Sequence, residues 1–135
     1  MTLDEYAAFY EALEPAHLDR LGEVFAPTAR FRDPFNDVTG PAAIRRVFEH
    51  MYRVCEQPEF RVLEVVAGEP AGYLRWEFRF GGRRRRVIEG VSRVLLAADG
   101  RVQEHLDYWD PAAGIYETLP LLGAVLRTLR RRLSA

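Results

Sequence analysis

The segment Tyr73–Phe80 limits the possible folds most, because its side chains alternate in character at every position. The apolar positions are Leu74, Trp76, Phe78 and Phe80, and the positions between them are Tyr73, Arg75, Glu77 and Arg79. Successive side chains of a β-strand point to opposite faces. The pattern therefore predicts a strand whose aromatic face is covered by helices and whose other face is polar.

Three further segments have the composition of strands. They are Phe60–Val66, Arg86–Ala97 and Arg101–Trp109. The turns between the four strands are Gly68-Glu69-Pro70, Gly81-Gly82 and Asp99-Gly100. Short connections of this kind favour neighbouring antiparallel strands, so the second half of the chain predicts a four-stranded meander. The arginine run Arg83–Arg86 at one turn is typical of a solvated sheet edge.

Three helices are predicted before these strands, and one after them. The first begins at the capping box formed by Thr2 and Glu5, the second runs from near Pro15 to just before Pro27, and the third covers Pro41–Cys55. The apolar stripe of the second is Leu18, Leu21, Val24 and Phe25, and that of the third is Ile44, Val47, Phe48, Met51 and Val54. A short strand, Ala29–Asp33, separates the second helix from the third, and a final helix covers about 119–133.

Composition narrows the class of protein. The chain has 135 residues, 48% of them hydrophobic, which suits one domain with a real core. A formal net charge of -1 provides no overall field for nucleic acid, and the basic final helix alone does not favour membrane-surface contact. Cys55 is the only cysteine, which excludes an internal disulfide. Because the first residues lack a signal sequence, we expect a cytoplasmic protein.

Several short sequence motifs in the first third of the chain resemble those of a known protein family. They are Phe9-Tyr10-Glu11-Ala12-Leu13, His17-Leu18-Asp19-Arg20-Leu21, Phe25-Ala26-Pro27, Phe31-Arg32-Asp33-Pro34 and Gly40-Pro41-Ala42-Ala43-Ile44. In this order the chain resembles SnoaL-like and ketosteroid-isomerase-like proteins of the nuclear transport factor 2-like superfamily. The resemblance implies a single α+β domain over 1–135. It is a cone-shaped fold with three N-terminal helices packed on a curved antiparallel sheet and an extra C-terminal helix.

Asp33 is the strongest candidate for chemistry. It shares a strand face with Phe31, so a core position for Phe31 would bring the carboxylate inward. A buried carboxylate can act as a base or an acid. In ketosteroid isomerases the general base occupies the aspartate that corresponds to Asp33 of the Asp33-Pro34 pair. The alternative is a turn residue whose carboxylate bonds local amides around Asn36 and Asp37.

The other residues of that isomerase site are not reproduced. Those enzymes are similar in using a tyrosine on the first helix and an aspartic acid on the third long strand as oxyanion donors. The corresponding positions here hold Phe9, with Tyr10 beside it, and Ser92. Steroid isomerisation is therefore not favoured.

His105, Asp107 and Trp109 alternate along the last strand and share one face. The Cα atoms of His105 and Asp107 lie about 6.5–7 Å apart in a strand, so both side chains can contact one ligand. SnoaL-like polyketide cyclases are similar in carrying an acid/base aspartate on this strand, which implies that the row lines the pocket near Asp33. The alternative is a solvent-facing row with Glu104, Leu106 and Tyr108 buried instead. Metal binding by the His and two Asp residues is only weakly indicated.

The preferred hypothesis is a pocket protein that transfers protons in a small hydrophobic molecule, as an isomerase, cyclase or lyase without a cofactor. Asp33 would be the base, with His105 and Asp107 relaying a proton or polarising an oxyanion. The expected ligand wall comprises Trp76, Phe78, Trp109, Ser92, Tyr10, Phe48 and Met51.

Two alternatives remain open. The first is a noncatalytic ligand-binding or protein-interaction module of the same fold. The second is an epoxide hydrolase of the limonene type, which needs an Asp-Arg-Asp set. It ranks low because Arg75, Arg79 and Arg93 are in the outward strand phase.

The outer face of the sheet predicts a homodimer. Its apolar positions are Tyr73, Val91, Leu95, Leu106 and Tyr108. An exposed apolar face of this size is commonly covered by a second copy.

Overall fold

A computed structural model describes residues 1–114 and 120–134. The helices are α1 (Leu3–Glu11), a 3₁₀ helix (Pro15–Arg20), α2 (Leu21–Val24), α3 (Pro41–Val54), α4 (Pro111–Gly114) and α5 (Pro120–Leu133). The strands are β1 (Phe25–Arg32), β2 (Asp37–Thr39), β3 (Glu59–Val66), β4 (Gly72–Phe80), β5 (Arg86–Leu96) and β6 (Val102–Trp109). The predicted α+β architecture is confirmed.

The sheet contains the expected four-stranded meander as β3-β4-β5-β6 and extends it by two further strands. It has six strands in the order β2-β1-β6-β5-β4-β3. β1 runs parallel to β6, and the other pairs are antiparallel. The short strand near Asp33 was predicted without its partners, because pairing between distant segments leaves no periodic signal in either one. The parallel pair places Phe31 directly beside His105.

The first helix begins as predicted, with Thr2 and Glu5 forming the capping box. The second prediction was wrong in part. A 3₁₀ helix and one α-turn replace the expected continuous helix, and Phe25 starts β1 instead of ending the helical stripe. Ala26 precedes a proline, which disfavours helical backbone, and the extended chain gains a place beside β6.

The core lies between the inner sheet face and the N-terminal helices. Leu74 and Trp76 of β4 are buried there, as the alternation predicts, together with Ile44 and Phe48 of α3. The stripe of α3 was expected to continue to Val54, yet Val54 is 63% exposed. The C-terminal end of α3 therefore extends past the packed core.

The outer sheet face is less apolar than predicted. Tyr73 and Tyr108 are exposed as expected, but Leu106 is buried. Leu106 lies between Arg32 of β1 and Arg93 of β5 in the strand register, and the aliphatic stems of arginines cover apolar neighbours well.

The C-terminal helix agrees with the predicted range, except that position 119 lies outside the described residues. Arg130 of this helix forms an ion pair with Asp110, just after β6. Among residues 1–114 and 120–134, no helix has both the length and the apolar character needed to cross a membrane.

Candidate active site

A cavity of about 310 Å³ lies between the inner sheet face and α3. Its walls are mostly aromatic and aliphatic, and its charged residues are Asp33 and Asp107 with His50 near the rim. The lining residues that the sequence singled out are Tyr10, Asp33, Phe48, Met51, Trp76, Phe78, Asp107 and Trp109. A pocket of this size and composition is typical of small-molecule sites.

Asp107 is the polar centre of the closed end of the cavity. It lies directly across from Ser92 in the β5–β6 register, and the Ser92 hydroxyl donates to its Oδ1 at 2.5 Å. The Nε2 atom of His105 lies 2.6 Å from the same oxygen. His105 and Asp107 were expected to contact one ligand, and the structure shows that they also contact each other directly, with the side chain of His105 only 2% exposed.

Two further residues complete this network. The Tyr6 hydroxyl lies 2.9 Å from His105 Nδ1, and Trp76 Nε1 donates to the Ser92 hydroxyl at 2.8 Å. Burial raises the pKa of Tyr6 well above its usual range. Tyr6 therefore keeps its proton and donates a hydrogen bond to Nδ1 of His105. With a neutral imidazole, Nε2 then carries the hydrogen and donates to Asp107. Every hydrogen bond in this network is thus donated in the direction of Asp107.

Stacking fixes the orientation of the His105 ring. Its centroid is 4.8 Å from that of Phe31 and 5.4 Å from that of Tyr10, with interplanar angles of 9° and 18°. These stacked rings fix the plane of the imidazole, and its two hydrogen bonds fix which nitrogen meets which partner. Pre-organisation of this kind is what a proton-handling histidine requires.

Tyr10 occupies a distinct position in the site. It lines the main cavity and also a chamber of about 20 Å³ that it shares with Ser92, His105 and Asp107. Its hydroxyl is buried and has no hydrogen-bond partner among the described residues. Burial raises the pKa of Tyr10 well above its usual range, and the neighbouring Tyr6 and the charges of Asp107 and Asp33 act in the same direction. Tyr10 therefore presents a neutral hydroxyl.

Asp33 combines the two interpretations that the sequence left open. β1 ends one residue earlier, and Asp33 Oδ1 accepts hydrogen bonds from the backbone N–H groups of Phe35 and Asn36, both at 2.7 Å. The Asn36 side-chain amide also donates to both carboxylate oxygens. The residue is thus a turn acceptor, and it lines the cavity as well.

The aromatic walls depend on a glycine. Trp76 and Trp109 flank Gly90 of β5, and a Cβ atom there would lie 2.5 Å from the Trp76 ring. Only glycine admits the indole at this distance. At the mouth, Phe35 packs edge-on against Trp109 with centroids 5.6 Å apart.

The structure brings together residues that the sequence argument left separate. Ser92 was expected as a wall residue and is a hydrogen-bond partner of Asp107 instead of facing the main cavity. Tyr6 was not among the residues that the sequence singled out for the site. Its spacing of four residues from Tyr10 places two hydroxyls on one helical face, and this signal could have identified it.

The sequence left open a metal site and an Asp-Arg-Asp set, and the described residues form neither in the main cavity. No group of three His, Cys, Asp or Glu side chains among them could hold a metal ion. No arginine lines the main cavity in this part of the chain, and Arg75, Arg79 and Arg93 instead form ion pairs with glutamates. An Asp-Arg-Asp set is therefore absent from the described cavity.

The SnoaL-like domain family matches residues 6–105, and the chain belongs to this family. No curated protein matches the sequence at a significant level.

Solved structures share the nuclear transport factor 2-like fold at low identity. A protein of unknown function from Exiguobacterium sp. 255-15 is 18% identical with a TM-score of 0.69, covering 82% of this chain and 98% of its own. An LEH-like epoxide hydrolase of M. tuberculosis is 18% identical, covers 95% of both chains and has a TM-score of 0.69. The epoxide hydrolase/cyclase-like enzyme SalBIII of salinomycin pyran-ring formation is 20% identical, covers 79% and 89%, and has a TM-score of 0.66.

Proposed function

We propose that the protein is a cofactor-independent acid–base catalyst that transfers protons within a small hydrophobic molecule. The observation that carries this proposal is the convergence of Asp107, backed by His105, and Asp33 on one mostly apolar cavity of about 310 Å³. An apolar wall excludes water, which strengthens the interaction of each carboxylate with a bound molecule.

The two carboxylates have different supports and therefore different roles. Asp33 stands near the mouth and accepts its hydrogen bonds from a local turn, so it is the proposed base. Asp107 receives both of its hydrogen bonds on Oδ1, and Oδ2 accepts none from the described residues. Oδ2 is thus available to the ligand, with His105 able to supply or accept a proton behind it.

Tyr10 is the proposed polar contact for a carbonyl or hydroxyl oxygen of the substrate. Its neutral hydroxyl can donate a hydrogen bond, and it has no other acceptor among the described residues. In a proton transfer next to a carbonyl, negative charge develops on the oxygen, and a pre-oriented donor stabilises it.

The test is a turnover assay on a panel of small cyclic ketones, enones and epoxides with matched variants. Asp33→Asn should lower turnover of an accepted substrate at least about 100-fold, the usual range for a general base. Asp37→Asn is the control. Asp37 lies four residues after Asp33 and is exposed, where it pairs with Arg30. Equal turnover by wild type and Asp33→Asn would remove Asp33 from the mechanism.

The second candidate is a noncatalytic binding module. It is favoured by the exposed apolar side chains Phe35 and Val54 beside the cavity, which can hold a ligand without chemistry. Tight binding of a panel compound that is recovered unchanged, with the same affinity in Asp33→Asn, would support this function over catalysis.

A homodimer through the outer sheet face is also proposed. Tyr73 and Tyr108 leave 43% and 52% of their surface exposed on that face. Sedimentation should give about twice the 15.5 kDa of one chain, and Tyr108→Glu should shift the protein toward the single-chain mass.

A further inference from the structure

The hairpin between β4 and β5 carries four consecutive arginines, Arg83–Arg86, all exposed. The sequence predicted that this arginine run lies at an edge of the sheet, but the strand order contradicts this. β4 pairs with β3 and β5, while β5 pairs with β4 and β6, so both are interior strands. Protection of an edge against strand addition therefore does not account for this charge.

The register places the run at the mouth of the cavity. Phe78 pairs with Ile88, and Phe80 pairs with Arg86. Directly opposed residues of antiparallel strands share a face, and Phe78, Phe80 and Ile88 all line the cavity. Arg86 is therefore the next position outward on the cavity face.

One arginine of the run has a structural role. Arg85 donates to the carbonyl oxygens of Gln57 and Gly81 at 2.8 and 2.9 Å, and pairs with Glu59. The contacts with Gln57 and Glu59 attach the hairpin to the segment that follows α3, together with a hydrogen bond from Gly81 N to the Glu56 carbonyl oxygen at 2.7 Å. Arg85 thereby holds the hairpin beside the cavity mouth.

The other three arginines are not used in this way. Arg83, Arg84 and Arg86 form no ion pair or side-chain hydrogen bond with any described residue. The acidic groups that contact the hairpin are Glu59, which pairs with Arg85, and Glu56, whose carboxylate lies against Gly82. Four arginines against these two glutamates and Asp33, the acid that also stands near the mouth, leave a net positive rim.

We propose that this rim binds an anionic group of the ligand whose apolar part occupies the cavity. The inference rests on the proposed function and adds a substrate class: an apolar molecule that ends in a carboxylate, sulfonate or phosphate. Guanidinium groups bind such oxyanions in a bidentate manner. The rim position lets the anion remain hydrated on one side while the apolar part is buried, so no isolated charge is placed inside the cone.

Two fluorescent dyes test this directly. Anilinonaphthalene sulfonate carries a sulfonate, and phenylnaphthylamine is the same aromatic framework without it. We expect Arg86→Gln to weaken binding of the sulfonate dye about threefold to fivefold, as for a partly screened charge contact. Its affinity for the neutral dye should stay within about twofold, because an exposed rim side chain adds little apolar contact.

The control variant is Arg61→Gln. Arg61 is exposed on β3 next to the cavity residue Phe60 and, by alternation, lies on the opposite sheet face. The substitution Arg61→Gln removes the same charge without changing the cavity mouth, so the affinities for the sulfonate dye and the neutral dye should both stay unchanged. Raising the salt concentration from about 0.05 to 0.5 M should weaken only the sulfonate dye, and less so in Arg86→Gln.

A triple variant, Arg83→Gln with Arg84→Gln and Arg86→Gln, gives the decisive result. It should bind the sulfonate dye about tenfold more weakly and the neutral dye as wild type does. Unchanged affinity for the sulfonate dye, or equal losses for both dyes, would overturn the anion site while leaving the cavity proposal in place. Failure of wild type to bind either dye would overturn both.

Discussion

The closed and open ends of the cavity contrast in how far their side chains are buried. At the closed end, Tyr6, His105 and Ser92 are almost fully buried, and their hydrogen bonds run toward Asp107. At the open end, Phe35 and Val54 are half exposed or more. The closed end therefore has one internally fixed arrangement, whereas the open end leaves apolar surface for a ligand to cover.

The contrast separates stability from recognition. A buried network loses stability when any member is removed, because its partners are left without hydrogen bonds. An exposed rim residue can change without such a cost. Substitutions at the closed end should act first on folding, and those at the open end first on binding.

The largest expected effect compares the two ends of α3. Ile44→Ala should lower the free energy of unfolding by about 3 kcal/mol, since Ile44 is fully buried and truncation leaves a cavity. Val54→Ala should change it by less than about 0.5 kcal/mol, because Val54 is 63% exposed. Urea denaturation measures both, and similar losses in the two variants would contradict the contrast.

The next effect compares two tyrosines on one face of α1. Tyr6→Phe should lower the unfolding free energy by about 2 kcal/mol, because it leaves His105 Nδ1 buried without its partner. Tyr10→Phe removes a buried hydroxyl that has no partner among the described residues, so its change should stay within about 0.5 kcal/mol.

Binding should reverse this order of sensitivity. Tyr10→Phe should weaken a ligand that carries a carbonyl oxygen more than Tyr6→Phe does, since only Tyr10 of the two lines the main cavity. Equal stability losses from the two substitutions would show that Tyr10 is also part of the buried network.

Alkaline pH should lower the free energy of unfolding through the two tyrosines at the closed end. Burial raises the pKa of both Tyr6 and Tyr10 above the unfolded value of about 10. The unfolded chain therefore releases these protons first, so the stabilisation is complete below about pH 10 and is lost as the pH rises toward the folded values.

The expected loss at pH 10.5 is about 1 kcal/mol for each tyrosine, because the unfolded chain has begun to release that proton while the folded protein still holds it. Urea denaturation between pH 8 and 10.5 measures it, and Tyr6→Phe is the control because one titrating group is gone. The variant should lose about 1 kcal/mol less than wild type over this range, because Tyr52 and Cys55, whose pKa values burial also raises, titrate in both proteins. An unchanged dependence would exclude Tyr6 as a source.

The sequence predicted those parts of the molecule in which a local period carries the information. The alternation of β4 placed Leu74 and Trp76 inside, and the capping box placed the start of α1. The row of His105 and Asp107 was correctly directed inward only with help from the family resemblance, because alternation alone fits either face.

Long-range pairing was the part that local patterns could not supply. Phe25 has the spacing of a helical residue, yet it starts β1 because that segment pairs with β6, far away in the chain. Leu106 was expected at the surface and is buried between Arg32 and Arg93 on neighbouring strands. Both outcomes depend on the order of strands in the sheet.

Hydrogen-bond partners were harder still. Tyr6 is one of several aromatic residues on α1, and nothing in its spacing says that His105, 99 positions later, receives its hydrogen bond. Ser92 was predicted as a site residue because it corresponds to the aspartic acid of the ketosteroid isomerases. Its contact with Asp107 could not be predicted in this way, because it follows from the β5–β6 register.

The smallest expected effect concerns Asp33 at the open end. Asp33→Asn should change the unfolding free energy by less than about 0.5 kcal/mol, because an amide oxygen can still accept from the backbone N–H groups of Phe35 and Asn36. Asp33→Ala removes the acceptor and should cost about 1 kcal/mol, as for loss of a capping side chain.

The comparison of these two variants by urea denaturation decides how the open end is held. If Asp33→Asn is as stable as wild type, the carboxylate charge is not needed for the turn and is free to serve a ligand. A loss as large as that of Asp33→Ala would mean that the charge itself holds the turn. Turnover data on Asp33→Asn would then report on structure as much as on chemistry.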